Sequence, residues 1–430
     1  MKKISILFAL LLSIGIQAQK AISLEEAIDI ALKSNFDILV ARNDADISRI
    51  NNTRGNAGML PTVNVNGSGN YAFNHVLQKL SSGTTNKYPS QSVTTLEANT
   101  QLSWTLYDGG KMFVTKKKLE EMQSLGELQF NSKVLEVTYN VVSAYYDIIR
   151  QNQQLKSMNE VINYNKQRVV IAQTGFNAGL LDKTELLQAK IDLNVSTENA
   201  INQKYAISQA QKTLNGILGK DASTVYEVGD SIPFSALPDK NELLLKLASS
   251  NASILALKKQ IDVANLAVKE TQKGYSPTFS LQGGYYLSQT NNSEGSTLKS
   301  HSIGPQIGGT LSIPLYNGGE TKRKIAAAKI ELLSAQYSLE NTQLQLTIEL
   351  ENAYTDFENQ QQLLQIEKEN NLLAKENMEI SLQRLKLGQA TTLEVHLAQE
   401  NYVQSCTRLL NFEYNLKMGE TKLRQLVSSL

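Results

Sequence analysis

A single cysteine, Cys406, among 430 residues rules out any disulfide within the chain. Only three histidines occur, His75, His301 and His396, scattered without the spacing of a metal site. Lys and Arg number 42 against 41 Asp and Glu, a formal charge of +1, so no basic surface for nucleic acid is expected. The chain carries no phosphate loop, no dinucleotide fingerprint and no nucleophile–base constellation, so catalytic residues, a bound metal and a cofactor are all unexpected. Long apolar runs are missing too: beyond the N-terminus nothing reaches the ~18–20 residues a membrane-spanning helix needs. Proline is scarce and unevenly placed. Pro61, Pro89, Pro233, Pro238, Pro277, Pro305 and Pro314 leave 90–232 and 315–430 free of it. Proline costs about 3 kcal/mol inside a helix, so those two tracts permit very long helices.

The N-terminus reads as a secretion signal over residues 1–18. Met1-Lys2-Lys3 gives the positive start, 4–16 the apolar stretch, and Ile16-Gln17-Ala18 a cleavage site before Gln19. A short membrane anchor is the less favoured alternative, because the apolar stretch is too short to span. No cysteine follows to carry a lipid.

What the chain does have is an internal copy. Leu102-Ser103-Trp104-Thr105-Leu106-Tyr107-Asp108-Gly109-Gly110 returns 209 residues later as Leu311-Ser312-Ile313-Pro314-Leu315-Tyr316-Asn317-Gly318-Gly319. Ala144-Tyr145-x-Asp147 pairs with Ala353-Tyr354-x-Asp356, Gly179 with Gly388, Glu185 with Glu394 and Ala189 with Ala398 at the same offset. Upstream the offset becomes 216, linking Pro61-Thr62 to Pro277-Thr278 and Asn35 to Asn251. A slip of seven residues therefore falls between the two sets of landmarks, where a loop can absorb it. A unit of this size is far longer than the ~20–50-residue repeats of solenoids, so the chain is a duplicated domain. The first repeat is 19–218, the second 241–430, and 219–240 is the linker.

Four segments alternate as half-buried strands, two per copy, predicting hairpins over 62–107 and 278–315 with polar loops at 75–91 and 289–301. In the first strand Val63, Val65, Tyr71 and Phe73 oppose Asn64, Asn66, Ser68 and Asn70; the other three repeat the pattern. Hairpins on a soluble core are one reading. A membrane barrel is favoured, because the polar faces are rich in Asn, Gln, Ser and Thr but poor in charge, and Tyr and Trp104 lie near the strand ends. Four strands cannot close a barrel, since known ones start near 8, so the barrel must be shared between chains. After each Gly-Gly landmark a long helix is predicted, over 111–174 and 320–384. Val134, Val141, Ile148, Leu155 and Ile162 recur every seventh residue, as in a coiled coil. At ~1.5 Å per residue each would measure roughly 95–100 Å. Short glycine turns end them, and return helices follow over 184–218 and 391–427. Shorter helices at about 24–55 and 241–273 precede the strands.

The landmarks Ile22-Ser23-Leu24-Glu25-Glu26-Ala27, Leu60-Pro61, the two Leu-Tyr-[Asp/Asn]-Gly-Gly motifs and the two tip turns, in that order, make the chain resemble the TolC-like outer-membrane efflux family over essentially its whole mature length. The resemblance implies a mainly α fold with a membrane β-barrel portion. It implies a homotrimer, with four strands per chain closing a 12-stranded barrel that continues into an α-helical periplasmic tunnel. The location implied is the outer membrane of a Gram-negative bacterium, extending into the periplasm. The partners implied are a periplasmic adaptor and an inner-membrane pump, for efflux or type I secretion, with the chain as a passive conduit and not an enzyme.

Site residues follow from the same resemblance. The first tip, with Gly179, Leu180 and Leu181, is similar to the family's adaptor-docking hairpin; an ordinary helix–helix turn with a glycine cap is the alternative. The second tip, with Gly388, lacks the Gly-Leu pair. Glu394 aligns with an acid that lines the periplasmic constriction, and Glu185 and Thr184 occupy the first copy's equivalent region. A ring of carboxylates and a solvated helix charge remain equal readings for Glu394. Leu385 and Ala390 stand where some members carry a polar latch. Tyr107, Asp108, Gly109, Gly110 and their copies Tyr316, Asn317, Gly318, Gly319 mark the strand-to-helix junctions. His75 and His301 are expected in exposed loops and Cys406 packed in a helix. A periplasmic coiled-coil adaptor and a trimeric surface or structural protein are the rival readings.

Overall fold

In a computed structural model, residues 20–430 are described; the proposed signal over 1–18 lies outside them. The chain forms two compact units, and they cut across the duplication. One contains 129–255 and 341–430 together with the segment before Asp44; the other contains 44–128 and 256–340. Each unit takes a segment from both copies, so the copies share both units and do not fold as successive domains.

The second unit is organised by one antiparallel sheet. Its strands β2 (Thr62–Lys79), β3 (Thr85–Tyr107), β5 (Thr278–Asn292) and β6 (Lys299–Ser312) lie in the order β2-β3-β5-β6. The duplication survives in the register: Thr62 pairs with Ser103 and Thr278 with Ser312, which are equivalent positions of the two copies. The strands outrun the sequence prediction at the far end of each hairpin. Residues 75–79 and 85–91 were expected in a loop, yet they continue the first ladder, and the turns shrink to 80–84 and 293–298. Backbone pairing needs no apolar side chain, so polar alternation carries the ladder onward. His75 and His301 consequently lie in strands and not in loops. Pro89, which cannot donate to a ladder, is tolerated because the register shifts there, between Asn74 and Val76 on the partner strand. The last strand stops at Ser312, short of 315, as Pro314 approaches.

Alternation puts two unlike faces on this sheet. One carries Val63, Val65, Leu96, Leu287, Ile303 and Ile307, with Val65 77% and Ile307 83% exposed. The other carries Asn, Gln, Ser and Thr. Strands β2 and β6 have no neighbour on their outer edges among the described residues.

The first unit is helical. Its helices are α1 (Leu24–Ser34), the start of α2 (Phe36–Asn51), α4 (Lys183–Leu218), α5 (Lys240–Ser250) and α8 (Thr392–Leu426). To these it adds the later parts of α3 (Lys111–Asn177) and α7 (Glu320–Lys386). Helices α3 and α7 are 67 residues each, and both ends differ by the same 209 positions. The main core gathers Ala27, Ala31, Ile38, Val141, Ile148, Leu214 and Leu218. The linker over 219–240 is packed rather than free. Its strand β4 (Tyr226–Glu227) pairs in parallel with β1 (Lys20–Ala21), and Tyr145 Oη donates to Ile22 O (3.0 Å) while accepting from Gly229 N (3.3 Å).

Each short helix expected before the strands is in fact two. The break falls at Asn35 and again at Asn251, leaving α2 after the first and α6 (Ala252–Gln272) after the second. Each asparagine takes an extended conformation and caps the following helix through Oδ1, accepting from Ile38 N (3.1 Å) and Ile254 N (3.0 Å). Each also donates from Nδ2 to the last turn of a return helix, Asn35 to Ile217 O (2.7 Å) and Asn251 to Leu426 O (2.8 Å). Ser34 and Ser250 add the same bond one residue on, to Leu218 O and Val427 O. One Ser-Asn pair thus satisfies the orphan groups of three helix ends.

Candidate functional site: junctions and tips

At the strand-to-helix junctions the chain leaves the sheet and immediately starts a long helix. Gly109 and Gly110 have φ of 73° and 80°, and Gly318 and Gly319 have 63° and 75°. Two successive left-handed residues favour glycine strongly. Gly109 is required on a second count, since a Cβ there would sit 2.0 Å from Ser276 Cβ. Asp108 Oδ2 accepts from Met112 N (2.8 Å), capping α3, while Asn317 Nδ2 donates to Thr321 Oγ1 (2.6 Å) at the equivalent place in α7. Tyr107 and Tyr316 are exposed beside them.

The tips are built by one backbone device used twice. Leu180 N donates to Gly175 O (2.8 Å) and Gly179 N to Phe176 O (3.0 Å); Gln389 N donates to Arg384 O (2.8 Å) and Gly388 N to Leu385 O (3.0 Å). With Gly179 and Gly388 at φ of 73° and 68°, both are Schellman endings. The backbone of each tip is thus a glycine-capped helix turn. Leu180 is 80% exposed, its equivalent is Gln389, and Leu181 folds back over Gly175. Thr184 and Glu394 are exposed and Glu185 half-buried, all in the first turns of the return helices. Thr391 caps α8 by accepting from Glu394 N (3.2 Å). Leu385 is buried with Leu382 and Val395, against Tyr164 and Ile171, so it joins the two tip hairpins by packing and forms no polar latch.

A buried polar cluster nearby escaped the sequence reading. Arg168 on α3 is 1% exposed and donates from Nη1 to Asp192 Oδ2 on α4 (3.0 Å), to Gln399 Oε1 on α8 (2.9 Å) and to Asn165 Oδ1 (3.3 Å). Gln188 Nε2 donates to Asp192 Oδ1 (2.8 Å), and His396 Nδ1 lies 3.3 Å from Asp192 Oδ2. The available signal was spacing: Val161, Asn165, Arg168 and Ala172 are all buried, at helical intervals, so an arginine occupies a core stripe. Cys406 is buried in α8, packed in a helix as expected.

Open-edged hairpins joined by left-handed glycines to long helices with tight tips define an outer-membrane channel subunit rather than a soluble helical protein. The chain belongs to the outer membrane efflux protein family, whose model matches residues 27–220 and 243–429. It is 20% identical to the proteases secretion protein PrtF of Dickeya chrysanthemi, over 100% of this chain and 93% of that protein. It is 22% identical to the outer membrane protein TolC of Vibrio cholerae, over 91% and 87%. Among solved structures, the Campylobacter jejuni CmeC outer membrane channel superposes with a TM-score of 0.78 at 18% identity, over 94% of this chain and 85% of that one.

Proposed function

We propose that the chain is the outer-membrane exit channel of a tripartite efflux pump or a type I secretion system, acting as a homotrimer. The observation that carries this is the sheet: four strands with two open edges, one exposed apolar face and one polar face poor in charge. In water such a sheet is an aggregation hazard. With its apolar face in lipid and its edges paired to two further copies, it becomes one third of a 12-stranded barrel around a polar lumen.

The tips supply the docking surface. Leu180 projects as an apolar knob for an adaptor, with Gly179, Leu181 and Gly388 shaping the two turns. Glu394, Glu185 and Thr184 face the narrowest part, where three copies of Glu394 would bring carboxylates together and favour cations. No residue in this scheme does chemistry; the protein lowers a barrier to passage and nothing more. Efflux names the family and protease secretion names one relative, and the inner-membrane partner decides between them.

Cell fractionation and planar-bilayer recording test the proposal. The protein should sediment with outer membranes, and purified trimers should give discrete conductance steps. A soluble periplasmic protein, or trimers that never conduct, would refute it.

A further inference from the structure

From the register we infer that Glu97 is a charge-selectivity residue of the barrel lumen, a role that rests on the channel reading above. The polar face of the sheet can be followed row by row, and Ser68, Glu97, Ser288 and Ser302 form one row across all four strands. Asn66 and Asn99 flank it on one side, Asn70 and Thr95 on the other. Along the whole polar face Glu97 is the only side chain with a formal charge. The sheet's Lys and His residues, Lys79, Lys87, Lys299, His75 and His301, all fall at register positions of the opposite face.

Glu97 is exposed, and among the described residues no cation in the sheet pairs with it; the Ser68 hydroxyl donates to it at 3.5 Å. Nothing in the fold asks for a carboxylate there, since Asn or Gln would continue the face equally well. In a closed trimer the row repeats three times, giving three carboxylates at one height on a wall otherwise lined by neutral amides and hydroxyls. Twelve strands ~4.8 Å apart and tilted ~40° close a cylinder about 24 Å across. An ion on the axis then passes roughly 10 Å from each carboxylate, close to the Debye length of ~8 Å in physiological salt. The ring therefore enriches cations over anions in dilute salt and fades as salt rises.

Reversal potentials in KCl gradients near 0.1 M read this out. Wild-type trimers should prefer K⁺ over Cl⁻, and Glu97→Gln should lower that preference about threefold, from three charges at this distance and screening. Ser302→Lys, which adds a cation to the same row with Glu97 intact, should lower it at least as much. In 1 M salt, where the Debye length is ~3 Å, the three proteins should converge. An unchanged ratio in both variants, in trimers that conduct normally, overturns the inference. So does a preference that Glu394→Gln abolishes and Glu97→Gln leaves intact, since selectivity would then reside at the tips. Failure of the wild type to conduct at all would instead remove the channel reading itself.

Discussion

Arg168 Nη1 and Asp192 Oδ2 sit 3.0 Å apart with both side chains buried, and the pair ties α3 to α4 while Gln399 and His396 bring in α8. A buried ion pair is worth most as a constraint: removing one partner strands the other charge. Asp192→Ala should therefore cost about 3–5 kcal/mol, whereas replacing the pair by Arg168→Met with Asp192→Leu should cost far less. Denaturant titration of the detergent-solubilised protein separates the two. Equal losses would show that the cluster's other hydrogen bonds, not the pairing, hold the charges.

Asn35 and Asn251 make equivalent bonds in the two copies, each to a helix start and a return-helix end. Alanine at either position removes a cap and leaves a carbonyl unpaired, so each should cost about 1–2 kcal/mol. The double variant should lose close to the sum, because the sites share no partner. A loss confined to one copy would mean that the duplicated geometry no longer carries duplicated energy.

Leu180 is the exposed apolar residue of the first tip, and its side chain makes no bond that the turn requires. Leu180→Asp should leave assembly and bilayer conductance intact while abolishing export in cells and binding to the adaptor. Unchanged export would remove Leu180 from the docking surface. Gly179→Val, by contrast, forces a β-branched residue into the left-handed region and should weaken the tip itself.

Two carboxylates in the helical unit should respond to pH in opposite senses. Burial pushes the Glu367 carboxyl up, but hydrogen bonds from Arg408 and Ser405 and the Arg408 charge outweigh it and hold the group below its usual 4.5. Its stabilisation is thus present above that value and is lost as pH falls through the lower folded-state value. Burial raises Glu413 above 4.5, with the Lys368 charge opposing only in part. Its contribution is complete below 4.5 and disappears as pH rises through the higher folded-state value. Glu367→Gln should then destabilise at pH 7 and become neutral in acid. Glu413→Gln should stabilise at pH 7 and also become neutral in acid. Urea midpoints measured between pH 3 and 8 check both signs.

The pattern of legible and illegible features has a physical cause. Long elements with a fixed period were readable: β2, β3, β5 and β6 through alternation, and α3 and α7 through their proline-free length and strict 209-residue offset. Interruptions decided by single hydrogen bonds were not. Asn35 and Asn251 were visible as a matched pair, yet only their contacts with Ile217 and Leu426 reveal why a helix stops there. The strand extension past Asn74 was hidden for the converse reason, since ladder pairing continues without an apolar signal. Arg168 stood in a core stripe, but its partners lie 24 and 231 positions away.

The sequence by itself determined the duplication, the order of strands and long helices, and the Gly-Gly and tip-glycine turns, because each depends on local backbone preference or periodicity. Tertiary structure alone decided that both copies contribute to each unit, that Arg168 and Asp192 meet, and that Glu97 shares one row with Ser68, Ser288 and Ser302. Those outcomes depend on strand register and helix packing, which bring together residues that no local preference relates.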